Sequence, residues 1–138
     1  MPFSFTTASF PIVKFMFSGK IRTDLEFDDI TNLWEIQYEK EKPFSIIFDT
    51  RLMKIPDLKY AIKMVQFIGK LKKKKPQYLE KSYIIIRKRS IIRLLDFIFL
   101  IQPPVAPVYV TKNYIDEREG FDNLKIIRKY KPRKTLRI

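Results

Sequence analysis

Between Phe44 and Leu71 the hydrophobic pattern changes period once, and that switch narrows the folds open to the whole chain. "FSIIFDT" (Phe44–Thr50) is a short apolar run that closes on an acid and a threonine. A run of this length and type reads as a strand buried on both faces. Pro56 and Asp57 then open a stretch with helical spacing that should reach about Lys73. Leu58, Ala61, Ile62, Val65, Ile68 and Leu71 make its apolar stripe. Lys59, Lys63, Gln66, Lys70 and Lys73 or Lys74 make a separate basic stripe. A doubly buried strand feeding a one-sided helix is the building unit of α/β proteins.

The same alternation runs through the chain. "PIVKFMFSG" (Pro11–Gly19) reads as a first strand ended by Ser-Gly. A helix is expected from Asp28 to Tyr38, with Ile30, Leu33, Trp34 and Tyr38 on one face and acids near its start. "SYIIIR" (Ser82–Arg87) is a third strand. Ser90 is a candidate N-cap for a third helix, Ile91–Gln102. Val105–Thr111 is a fourth strand, with Pro107 pointing to an edge or a strand start. A short last helix is expected within Asn113–Leu124. The predicted fold is α/β: a small mixed or parallel four-stranded sheet with helices packed against it. One domain should span residues 11–124, followed by a basic tail, 125–138.

Charge is unevenly distributed. Residues 21–49 hold eight acids against three bases, whereas 50–138 hold 23 bases against seven acids, within a net charge of +13. This asymmetry favours an acidic partner such as nucleic acid, an anionic surface or an acidic protein patch. The tail carries Lys125, Arg128, Lys129, Lys131, Arg133, Lys134 and Arg137 with no acid, and reads as extended. Lys59, Lys63, Lys70, Lys73, Lys74 and Lys75, taken with Arg128, Lys129, Lys131, Arg133, Lys134 and Arg137, are the candidate anion-binding residues.

Histidine and cysteine are both absent. The chain thus lacks the usual general base, the usual metal ligand and any thiol chemistry. Its three glycines, Gly19, Gly69 and Gly120, form no phosphate-binding loop motif. Asp49 and Thr50 occupy a strand end, where ligands bind in open α/β sheets, but Asp49 reads more simply as a turn cap paired with Arg51. No catalytic residue, metal site or cofactor is assigned, and the chain is not read as an enzyme. With no apolar run near the ~20 residues of a membrane span and no leader-like start, the expected location is intracellular and soluble, with membership of a larger complex as an option.

The stretch Ile91–Gln102 is anomalous. At 100° per residue, Ile91, Leu94, Leu95, Ile98 and Ile101 share a broad face, yet Phe97 and Leu100 fall beside Arg93 and Asp96 on the other. Either the tail covers Phe97 and Leu100, or they meet another chain or a lipid surface. They are the candidate apolar contact with a protein partner or a second copy.

The fragments "IIFDT", "RLMKIPDLKYAI" and "SIIRLLDFIF" resemble the STAS domain of bacterial anti-sigma-factor antagonists. The order of elements over Pro11–Leu124 is also similar in outline to the CRAL-TRIO domain. In STAS switch proteins a phosphorylated serine follows an aspartate at the start of the helix after this strand. Here Asp57 matches the aspartate, but Leu58 stands at the serine position. The STAS resemblance therefore implies a docking module without the phosphorylation switch. The CRAL-TRIO likeness implies an apolar-ligand (lipid) pocket, in a family of longer chains. The leading expectation is a non-catalytic interaction or structural module. Binding of nucleic acid or an anionic surface is the first alternative, and carriage of an apolar ligand the second.

Overall fold

The computed structural model describes residues 2–132. Its elements are β1 (Phe3–Thr6), β2 (Ile12–Phe17), α1 (Asp24–Ile36), β3 (Phe44–Asp49), α2 (Leu58–Leu71), β4 (Leu79–Ile85), α3 (Arg89–Ile101), β5 (Val108–Thr111) and β6 (Ile126–Tyr130). A 3-10 turn, Gln37–Lys40, follows α1.

All six strands join one sheet in sequential order. β2, β3, β4 and β5 are parallel neighbours, while β1 and β6 close the two edges antiparallel. The mixed α/β class is as expected, but the sheet has six strands where four were expected. The two additional strands are short edge pieces whose residues carry weak periodicity. β6 uses Ile126–Tyr130, which the charge pattern assigned to the tail. Its row of bases suits an exposed edge, where charge discourages pairing with another sheet.

Each parallel crossover moves one strand in the same direction. Right-handed connections therefore lay α1, α2 and α3 on one face of the sheet. The main core lies beneath them, with Phe15, Phe44, Ile46, Ile84 and Val110 from the strands packed against Phe27, Ile30, Trp34, Phe67 and Ile91 from the helices. α1 begins four residues before the expected Asp28, because Thr23 and Glu26 form a capping box. α3 begins at Arg89, so the cap position falls on Lys88, whose side chain makes no cap bond, and not on Ser90.

Loop 112–125 crosses the opposite face. The last helix expected in Asn113–Leu124 is not formed. Asp116 instead accepts bonds from the Arg118 backbone and guanidinium, and Gly120 and Asn123 adopt positive φ, at 86° and 63°. These turns bring Ile115, Phe121 and Leu124 onto Ile47, Tyr83, Ile85 and Tyr109. The Phe121 ring stacks on Tyr83 at 4.0 Å. The loop thus covers apolar surface that no helix reaches.

Candidate functional sites

Asp49 ends β3 on the loop-covered face. Its carboxylate accepts from the Arg51 backbone N–H at 3.2 Å and from the guanidinium at 3.0 and 2.7 Å. Burial opposes its ionisation, but the Arg51 hydrogen bonds prevail and hold the carboxyl below its ordinary range. Asp49 is therefore a turn cap with a fixed partner. Lys14 shares this face and is only 4% exposed. Its ammonium donates to the Ile115 carbonyl, the Tyr114 hydroxyl and the Glu117 carboxylate, all at 3.3–3.4 Å. These bonds anchor the loop.

The α2 lysines singled out in the sequence turn toward α1. Lys59 and Lys63 lie 2.8 and 3.5 Å from the Asp24 carboxylate. Lys70 and Lys74 lie 3.0 and 3.5 Å from Glu35. The hydrogen bond from Lys59 is the main cause of a lowered Asp24 pKa. Lys73 and Lys75 are exposed past the helix end. β6 lies beyond α3, so the structure does not gather the expected anion-binding residues on one face. There Arg128 pairs with Asp96 at 2.6 Å, and Lys129 sits 5.0 Å over the Tyr109 ring. Lys131 is exposed. Arg133, Lys134 and Arg137 lie outside the described residues.

Phe97 and Leu100 are 37% and 76% exposed. β6 does reach α3, through the Asp96 bonds and the contact of Tyr130 with Phe99, but it leaves these two side chains open. Nor are they alone. α2 and α3 meet through Ala61, Ile68 and Ile98, flanked by Val65 and Leu94. At 100° per residue, Leu58 and Ile62 lie just outside this contact row on α2. Phe97 and Ile101 lie just outside it on α3. All four are exposed, Leu58 at 62%. The two helices therefore carry an apolar strip along the outer lip of their seam. Its α2 half was hidden in the sequence, where Leu58 and Ile62 read as inner-stripe residues.

A second site was not foreseen. Ile86, Arg87, Arg89, Ile92, Lys112, Asn113, Lys125 and Ile127 line a cleft of about 510 Å³ where β4 and β5 end and α3 begins. No acid lines it. The carboxyl ends of parallel strands are the usual ligand position in open α/β sheets. The signal in the sequence was "RKRS" (Arg87–Ser90), a triplet of bases before a helix with no acid in its first turn.

Between helices and sheet lies an apolar cavity of about 140 Å³, bordered by Phe48, Ala61, Met64, Ser82 and Trp34 among others. The Trp34 indole N–H is buried without a partner among the described residues. Pockets that enclose drug-sized ligands run to about 300–1,000 Å³. This void is well short of that range and gives little support to a lipid carrier. No helix among the described residues is long and apolar enough to cross a membrane. Comparison with protein-family models, curated proteins and solved structures finds no match to this chain.

Proposed function

We propose that this chain is a non-catalytic α/β interaction module that docks an acidic amphipathic segment of a partner protein on the outer lip of the α2–α3 seam. The apolar strip of Leu58, Ile62, Phe97 and Ile101, continued outward on α3 by Leu100, carries this reading, since neighbouring exposed apolar side chains on two helices mark an interaction site. Charge selects the partner. α2 contains no acid, and the one acid of α3, Asp96, is engaged by Arg128 and Tyr130. Lys54 and Arg93 are exposed nearby in sequence. A second copy would bring two chains of net charge +13 together, which self-repulsion disfavours. An acidic helix with leucines at helical spacing satisfies both requirements. The STAS resemblance, with Leu58 at the serine position, agrees with docking that needs no phosphorylation.

The test uses a fluorescein-labelled helical peptide built from Glu and Leu with one apolar face. The intact protein should bind it, and Leu58→Lys/Leu100→Lys should abolish binding. Sedimentation should show a monomer. Self-association through this face, or binding unaffected by the double substitution, would overturn the proposal.

A further inference from the structure

We propose that the cleft between the β4 and β5 ends and the α3 start binds a phosphate monoester carried on a small apolar or planar group. The cleft is lined by Arg87, Arg89, Lys112 and Lys125. None of the four has an ion-pair partner among the described residues, whereas Lys59, Lys63, Lys70 and Lys74 do. Four bases without an ion-pair partner therefore line one concavity that no acid lines.

The surroundings strengthen that charge. The first turn of α3 presents backbone N–H groups and the positive end of a 13-residue helix, with no acidic side chain there. Three consecutive bases at that end oppose the helix dipole. Stability alone would place acids there, as α1 does with Asp24 and Glu26. A bound anion removes the conflict. The opposite wall is rigid. Thr111 is fully buried and donates to the Lys125 carbonyl at 2.8 Å, while the Lys125 N–H donates to Asn113 Oδ1 at 2.9 Å. Asn113 Oδ1 is thereby occupied, which leaves its amide N–H groups as donors beside Lys112 and Lys125.

The shape narrows the ligand further. Two guanidinium forks and two ammonium groups suit the three oxygens and near-double charge of a phosphate monoester better than a single carboxylate. Ile86, Ile92 and Ile127 supply apolar wall for the group that bears it. A volume of about 510 Å³ falls in the small-molecule range. A nucleic-acid strand would instead need an extended basic track, and along the stripe that could provide one, four lysines are engaged by Asp24 and Glu35. This site is separate from the α2–α3 strip, so either proposal can fail without the other.

The test is calorimetric titration of the intact protein with phenyl phosphate, with phenol as the uncharged comparison. Phenyl phosphate should bind and phenol should not. Each lost charge-assisted bond is worth about tenfold, so Arg87→Ala/Lys125→Ala should weaken binding by about a hundredfold. Lys112→Gln, a single change at an exposed side chain, should cost about tenfold and serves if the double variant misfolds. Sedimentation with phosphatidylcholine vesicles containing phosphatidic acid separates the two sources of the same group. Binding to vesicles that Arg87→Ala/Lys125→Ala removes, with none to phenyl phosphate, would assign a lipid headgroup. Undiminished binding in Arg87→Ala/Lys125→Ala, loss only in Lys73→Ala/Lys75→Ala, or no binding to either probe would overturn the proposal.

Discussion

The Lys14 ammonium, on the face of β2 that no helix covers, lies 3.3 Å from the Glu117 carboxylate of the crossing loop. The pair joins residues far apart in the chain and fixes how loop 112–125 lies on the sheet. Lys14 is nearly fully buried, so the acceptors that the loop supplies replace the water its ammonium would otherwise bond. Lys14→Ala would remove the anchor and leave a hole beneath the loop. It should cost about 3 kcal/mol in urea unfolding. Glu117→Gln keeps an acceptor and should cost less. Hydrogen exchange should show residues 112–125 opening in Lys14→Ala while β3 and β4 stay protected. Uniform loss of protection across the sheet would mean that Lys14 supports the core and not the loop.

Asp96 ties β6 to α3. It accepts from Arg128 at 3.2 and 2.6 Å and from the Tyr130 hydroxyl at 2.6 Å. The Arg128 hydrogen bonds lead in holding its carboxyl below the usual 3.8. The sign follows from that direction. A lowered folded-state pKa adds stability that is present above the unfolded value and lost as pH falls through the folded one. β6 amides should therefore exchange faster as pH falls below the ordinary carboxylate range, after correction for intrinsic exchange. Asp96→Asn should remove this acid dependence and lower stability by less than about 1 kcal/mol, because the pair is solvent-screened.

The alternation of doubly buried strands with one-sided helices was legible from β2 to β5, because both periods are strong there. Phe44–Thr50 reads as a buried strand, and β3 fills all of it but Thr50. The edges were not legible. In β6 the bases of "IIRKY" follow from its open edge, and high charge density suggests a tail in the absence of a known neighbour. The crossing loop was misread for a related reason. Its acids and apolar residues mimic a helix, but the positive φ at Gly120 and Asn123 serves a tertiary need, that of covering Tyr83 and Ile85. Of the site residues, Phe97 and Leu100 were visible as a conflict within one helix. Leu58 and Ile62 become visible only when α3 is placed beside α2. The cleft needed the topology as well, since Lys112 and Lys125 meet Arg87 only through the sequential sheet order.

The cavity under the helices offers a stability test. Ser82 of β4 is buried and borders this void, and β-branched apolar residues suit strands. Ser82→Val adds methyl volume where space exists and removes a hydroxyl from apolar surroundings. It should raise stability by about 1 kcal/mol and the melting temperature by a few degrees. A lower melting temperature would show that the wall cannot accept the added volume or that the hydroxyl has a needed partner.

The α1 acids offer a test of the anionic-surface reading. Asp24 and Glu35 each hold two lysines of the stripe, so two carboxylates offset half of these four charges within the molecule itself. Asp24→Asn/Glu35→Gln would release Lys59, Lys63, Lys70 and Lys74 together. Exposed pairs contribute little, so the unfolding midpoint should barely move. Affinity for a polyanion such as heparin should rise, because four freed ammonium groups can now displace counterions. The slope of log affinity against log salt should steepen by up to about 3–4. Phenyl phosphate binding at the cleft should be unchanged, since neither acid lines it. Equal heparin affinity and equal salt slope in wild type and variant would show that the lysines bind polyanions despite their partners, and would return the basic stripe to the centre of the functional reading.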